Sequence, residues 1–167
     1  MGDAAVPALV EVLTQPRRGR DTPEGEVDIA IANDAADVLG DIGDPRAVPY
    51  LQGMLGEHLM VVSRALARTP EGVDALLEAL GDPNESVRME AALGLGFAKA
   101  NHASATTALA TALSDSSQGV WHNAANAASI LRHADPVLVA SLATVAEKDS
   151  TEHVRKMAAR ALRELGR

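Results

Sequence analysis

Two residue columns recur along this chain, and they alternate. The first is a Leu followed four residues later by another apolar residue: Leu9/Leu13, Leu51/Leu55, Leu76/Leu80, Leu109/Leu113 and Leu142/Ala146, with steps of 42, 25, 33 and 33 residues. The second is a β-branched residue followed four and five positions on by small or apolar ones. It reads Ile31-Ala35-Ala36, Val61-Ala65-Leu66, Val87-Ala91-Ala92, Val120-Ala124-Ala125 and Val154-Ala158-Ala159, with steps of 30, 26, 33 and 34. Apolar spacings of three and four residues place side chains on one side of a helix. A unit of this length that repeats cannot bury its apolar face alone and must stack on its neighbours. The columns therefore predict an all-α chain, a right-handed α–α superhelix of about five helical hairpins. It forms one domain over residues 1–167, with repeats at 1–42, 43–69, 70–100, 101–133 and 134–167. The first (outer) helices of the hairpins are expected at 4–14, 45–56, 70–81, 103–114 and 135–148. The second (inner) helices are expected at 24–41, 57–68, 84–98, 117–132 and 151–165. Leu76, Leu80, Val87, Ala91, Leu95, Leu109 and Leu113 lie in the middle repeats and are the expected core.

The composition fits stacked helices. Of the 167 residues 47% are hydrophobic, yet only Tyr50, Phe97 and Trp121 are aromatic, so Ala, Leu and Val must build the core. Small side chains let helices approach closely, whereas β-sandwiches draw on β-branched and aromatic residues. The turns carry matching punctuation: Gly43-Asp44-Pro45, Gly81-Asp82-Pro83 and Ala134-Asp135-Pro136. Gly suits a helix C-cap, Asp an N-cap and Pro the first helical turn. Asp82, Asp115 and Asp149 each stand five residues before the Val of the next inner helix, where a carboxylate can accept from free backbone N–H groups.

The segments Val38-Leu39-Gly40-Asp41-Ile42-Gly43-Asp44-Pro45-Arg46-Ala47-Val48-Pro49, Val87-Arg88-Met89-Glu90-Ala91-Ala92-Leu93-Gly94-Leu95-Gly96 and Val154-Arg155 through Ala161-Leu162 carry a family resemblance. The chain resembles the HEAT-like repeat family first associated with phycobilisome lyases, over nearly its whole length. The resemblance implies the solenoid fold; it is poor for function, because such repeats serve many roles. Three departures stand out. Repeat 1 carries a polar insertion from Gln15 to Glu26, with Arg17, Arg18 and Arg20 followed by Asp21, Glu24 and Glu26. The inner helix of repeat 2 must stop at Thr69-Pro70, which implies a bend there. Repeat 4 has Trp121 where repeats 3 and 5 have Arg88 and Arg155.

Catalytic and cofactor signatures are missing from the sequence. There is no glycine-rich phosphate loop outside a helix and no Gly-x-Ser-x-Gly elbow. No two of His58, His102, His122, His133 and His153 stand four apart. Related hydroxylases bind two irons through His-Glu dipeptides; here only the reversed pairs Glu57-His58 and Glu152-His153 occur. The expectation is no enzyme, no cofactor and no metal. A net charge of −8 argues against the basic groove that nucleic-acid binding requires. The chain has no cysteine, so disulfides and thiolate metal sites are excluded. No apolar run approaches the roughly 20 residues of a membrane span, and no leader pattern opens the chain. A cytoplasmic protein is the default expectation.

The functional expectation is a non-catalytic scaffold that binds another protein or peptide segment through its concave groove. The alternative is a small enzyme or chromophore-handling protein of bilin-lyase type. Inner helices line the groove of such solenoids. Residues two and six after each inner-helix column residue share one face: Asn33/Asp37, Ser63/Ala67, Met89/Leu93, His122/Asn126 and Lys156/Arg160. Asn33, Asp37, Met89, Leu93, His122, Asn126, Lys156 and Arg160 are thus the expected partner-binding strip, with Met89 and Leu93 falling to the core if the face is rotated by one position. Residues 1–50 hold 4 basic and 10 acidic side chains, while 101–167 hold 7 basic and 6 acidic, so the strip grades from acid to base. Trp121 joins it as an anchor contact, or serves inter-repeat packing in place of an Arg stem. Neither chain end carries a clear polar cap, which adds self-association through the ends as an expectation.

Overall fold

A computed structural model describes residues 2–18, 21–57, 60–98, 102–132, 135–149 and 151–166. The described residues form ten α-helices and no strand: α1 (Gly2–Thr14), α2 (Pro23–Ile42), α3 (Val48–Gln52, entered through a 3-10 turn at Pro45–Ala47), α4 (Met60–Leu66), α5 (Pro70–Ala79), α6 (Glu85–Leu95), α7 (His102–Ala112), α8 (Gln118–Leu131), α9 (Pro136–Lys148) and α10 (Glu152–Glu164). Consecutive helices pair as hairpins. The even-numbered helices then pack in order from α2 to α10, and the odd-numbered ones from α1 to α9. The result is a two-layer helical solenoid in which each element touches its own repeat and the adjacent ones.

The turn chemistry explains where helices begin. Thr22, Thr69 and Asp135 cap α2, α5 and α9, each accepting from backbone N–H groups two or three residues on, and each is followed by Pro at the first helical position. A Pro there gives up only an N–H that has no partner inside the helix. The Thr69-Pro70 pair thereby ends repeat 2's inner helix early: α4 has 7 residues against 14 in α8. Gly43 closes α2 in the left-handed conformation, φ 67°, with its N–H on the Leu39 carbonyl. Gly81, in contrast, follows an αR cap at Leu80. The three inter-helix aspartates do what their position implies. Asp82, Asp115 and Asp149 accept from the N–H groups of Asn84, Ser117 and Thr151 at 2.7, 2.7 and 2.8 Å.

One continuous core runs the length of the stack, and alanine supplies more than half of its buried residues. Leu76, Ala91, Leu95, Leu109 and Leu113 are buried as expected, whereas Leu80 and Val87 are only half-buried at its margin. The insertion after α1 is tied down on both sides: Arg17 pairs with Glu57, and Arg18 forks onto Asp28 at 2.7 and 2.9 Å. Arg20 of that segment lies outside the described residues.

Candidate functional site

Burial along the even-numbered helices fixes which way each one faces. In α8 and α10 the column residues Val120 and Val154 are buried, and in α6 Val87 is half-buried over buried Ala91 and Ala92. In α2 and α4 the inward residue is instead Ala32 (2% exposed) and Val62 (0%), one position after Ile31 (49%) and Val61. The first two repeats are therefore one residue out of phase with the last three, and one residue is about 100° of helix rotation.

This phase change redraws the strip in repeats 1 and 2. Asn33 turns sideways and is half-buried, with its side-chain oxygen buried and without a hydrogen-bond partner. Asp37 faces α4, where it meets Arg64 at 3.2 Å and Arg68 at 2.9 Å; Arg68 also holds Asp41 at 2.6 Å. Ser63 and Ala67 are buried. The outward positions are Asp34/Val38 and Arg64/Arg68. Repeats 4 and 5 leave most of the expected positions exposed, and repeat 3 does not. Leu93 is buried at 9% and Met89 is half-buried against the core, the outcome expected for a rotated face, while His122 is half-buried and Asn126, Lys156 and Arg160 are exposed. His122 stacks on His153 with ring centroids 6.1 Å apart and planes 12° apart, which joins repeats 4 and 5 on this face. Lys156 and Arg160 pair with Glu152 and Glu164 one turn away, at 2.7 and 2.8 Å. Such exposed pairs hold their partners weakly.

The structure also reveals a feature the column analysis missed. Val27, Ile31, Val38 and Ile42 of α2 are 55, 49, 45 and 36% exposed. Their spacing of four, seven and four puts them on one side of the helix. A row of four large apolar side chains left in solvent differs from the scattered single ones every surface carries. The start of the strip is thus mixed: Asp37 and Asp41 are paired with Arg64 and Arg68, Asp34 is exposed, and the row on α2 adds apolar surface beside them.

Trp121 leaves the strip. It is 8% exposed and points between repeats 4 and 5. At the preceding junction Arg88 occupies the same position: its Nε and Nη2 meet Asp115 at 3.0 and 3.3 Å, and its Nη1 donates to the Asp82 carbonyl at 2.8 Å. Burial pushes the Asp115 carboxyl up, but the Arg88 hydrogen bonds, the Ser117 N–H and the Arg88 charge together hold it below the usual range. Trp121 cannot make such a bridge. Beside it opens a cleft of about 580 Å³, lined by Asp115, Gln118, Trp121, Lys148, Asp149 and Thr151 among others.

Among the described residues no three His, Asp or Glu side chains converge as metal ligands, and no helix is long and apolar enough to cross a membrane. His58 and His133 lie outside the described residues, as does the side chain of His102.

Comparison with known proteins agrees with this architecture. A family model for HEAT repeats matches residues 59–127 and 73–163, and one for the PBS lyase HEAT-like repeat matches 32–57. No curated protein sequence matches the chain. Among solved structures, one chain of the complex of CpcE and CpcF of phycocyanin lyase from Nostoc sp. PCC7120 superposes with a TM-score of 0.65 at 24% identity, covering 95% of this chain and 98% of that chain. Human deoxyhypusine hydroxylase gives 0.54 at 22%, covering 98% and 74%. A designed armadillo repeat protein in complex with the peptide (KR)4 gives 0.56 at 19%, covering 97% and 82%. At these identities the likeness is one of fold.

Proposed function

This chain belongs to the HEAT-repeat family, and from that premise we propose that it is a non-catalytic scaffold binding a segment of another protein along the outward face of its even-numbered helices. The observation that carries this reading is the exposed row Val27, Ile31, Val38 and Ile42 on α2; the rest of the proposed surface is Met89, Leu93, His122, Asn126, Lys156 and Arg160 on α6, α8 and α10. The apolar row supplies contact area that gains from desolvation. The basic pair on α10 sets orientation more than affinity. The complementary partner is an amphipathic segment, apolar where it crosses α2 and acidic where it crosses α10. Met89 adapts to irregular side chains between the two ends. Placement of a partner in solenoids with peptide complexes, such as the designed armadillo protein, supports this use of a helical stack in general terms.

The test is a binding assay with a partner captured from native lysate, using Val38→Asp and the double reversal Lys156→Glu/Arg160→Glu. Both variants replace exposed side chains and should keep their helicity. We expect each to weaken binding by about tenfold or more, equivalent to about 1.4 kcal/mol. Unchanged binding by both would move the working surface elsewhere.

A second reading, chromophore handling of lyase type, draws on the PBS lyase HEAT-like match at 32–57. A visible absorbance band in the purified protein, or one acquired on incubation with a bilin, would favour it over the scaffold.

A further inference from the structure

The junctions between successive even-numbered helices are closed in different ways. Between α4 and α6 the residue at the bridging position is Ser63, fully buried, and the helices meet directly: a Cβ on Gly94 would lie 2.9 Å from the Ser63 side chain. Between α6 and α8 the bridge is a guanidinium. Arg88 reaches from one repeat to the carboxylate of the next, Asp115, which the Ser117 N–H holds in place. Between α8 and α10 the acceptor half of that arrangement is present again. Asp149 is the counterpart of Asp115, and the Thr151 N–H holds it at 2.8 Å, as Ser117 holds Asp115 at 2.7 Å. Arg155 donates to the Asp149 backbone carbonyl at 2.7 Å, as Arg88 does to that of Asp82. The donor half is replaced. Trp121 stands where the bridging arginine would, and among the described residues no cation lies within ion-pair distance of the Asp149 carboxylate.

We propose that the cleft between repeats 4 and 5 receives an arginine side chain from a partner chain, whose guanidinium completes the bridge to Asp149 that Trp121 leaves open. The cleft, about 580 Å³, falls inside the range of roughly 300–1,000 Å³ typical of small-ligand sites. An arginine guanidinium is planar, pairs with a carboxylate through parallel N–H bonds and stacks on aromatic rings. The indole of Trp121 in the wall of the cleft offers the ring, and an indole is the best of the aromatic partners for a cation. Gln118, Ser116 and Thr151 line the same space and can accept the remaining N–H groups. The charged groups of the lining are Asp115, Lys148 and Asp149. Asp115 is already matched by Arg88, which leaves Lys148 and Asp149. Lys148 is exposed and makes no ion pair among the described residues, so it is a like charge in the lining that opposes an incoming guanidinium. This site is separate from the strip of even-numbered helices: it stands on the loops before α8 and α10, and neither location depends on the other.

Trp121 is the only tryptophan, so intrinsic fluorescence reads the cleft without a label. The whole chain is titrated at constant ionic strength with N-acetyl-arginine amide, with the citrulline analogue, which keeps the shape and loses the charge, and with free arginine. We expect a saturable change with the arginine amide, none with citrulline, and no advantage for free arginine. Asp149→Asn should weaken the response about tenfold or more, and Lys148→Ala should strengthen it. Trp121→Arg should rebuild the internal bridge; by calorimetry it should bind no arginine amide, and its melting temperature should rise. Citrulline binding equal to arginine, or Asp149→Asn binding like the parent, overturns the proposal, as does the lack of a saturable arginine response. Free arginine binding far more tightly than the blocked amide overturns the assignment to a partner's side chain. Because Asp149→Asn preserves size and its turn hydrogen bond, the test stands even if Trp121→Arg does not fold.

Discussion

Replacing Leu109 with alanine probes the central claim about how this stack is held together. Leu109 sits in α7 with no exposed surface, inside a core in which alanine makes up more than half of the buried residues. The substitution removes three carbons, worth about 2.4 kcal/mol at about 0.8 kcal/mol per buried methylene. A cavity term adds to that, and its size depends on how far the surroundings collapse. Alanine has no rotamer to swing into a void, and α7 is held on either side by α5 and α9, so little collapse is available. The loss should therefore fall in the upper part of the known range for such changes, about 4 kcal/mol. For a chain of this length that corresponds to a melting temperature lower by about 8–16 °C. Urea titration followed by far-UV ellipticity measures it, with Leu109→Met as the volume-conserving control at under about 1.5 kcal/mol. A loss below about 1 kcal/mol for alanine would mean that Leu109 does not sit in a rigid, enclosed core. Equal losses for alanine and methionine would point to side-chain shape rather than cavity volume.

Gly72→Ala should destabilise by about 3 kcal/mol or more, because the new Cβ would lie 2.1 Å from the Leu66 carbonyl oxygen and neither group is a side chain that can move aside. Gly53→Ala, helical in φ and ψ with its nearest contact at 3.5 Å, should instead gain about 0.4–1 kcal/mol; the two together are read by thermal melts. Acid should unfold the chain through carboxylates held below their ordinary values: Asp28 by hydrogen bonds from Arg18, Asp44, at about 2, by the Arg46 side chain, Asp115 as described above, and Glu164 by Arg160. Lowered native values mean that this stabilisation is complete above the unfolded values near about 4 and is lost as pH falls through the native ones. The urea midpoint should be nearly flat above pH about 5 and decline between about 4 and 2, and Asp115→Asn should shallow that decline. A midpoint that falls already between pH about 7 and 5 would assign acid sensitivity to the histidines.

The helices and their pairing were legible from the apolar columns, and several of their starts are marked a second time by a cap. Thr22-Pro23, Thr69-Pro70 and Asp135-Pro136 combine a side-chain acceptor with a residue that has no N–H to satisfy, and α2, α5 and α9 begin there. Which inner-helix positions face outward was legible in repeats 4 and 5, misread in repeats 1 and 2, and in repeat 3 went to the core as the rotated alternative has it. The cause is local: Ile31-Ala32 and Val61-Val62 offer two adjacent apolar residues, and the pattern favours the β-branched or earlier one, while the structure buries the later one. Adjacent residues differ by about 100° in direction, so the choice put Asp37 on the strip, whereas the structure turns it towards α4, and it hid Arg64 and Arg68. The exposed row on α2 was invisible for the same reason, since Ile31 stands in the apolar column. The cleft beside Trp121 follows from the Arg88, Trp121 and Arg155 series visible in the sequence, but its opening depends on what Asp149 does not touch.

Where the even-numbered helices meet, side chains nearly vanish. A Cβ on Gly40 would sit 2.8 Å from the Cα of Ala65, and one on Gly96 would sit 2.7 Å from the Cα of Ala127. The odd-numbered layer is spaced by larger groups such as Leu76, Leu109, Leu138 and Leu142. Backbones in contact cannot be pressed closer, whereas leucines can change rotamer. Bending of the stack is therefore expected to pivot along the even-numbered helices, where the backbones touch. The outward strip lies next to that neutral axis. The spacing of its residues is therefore expected to change least when the stack bends.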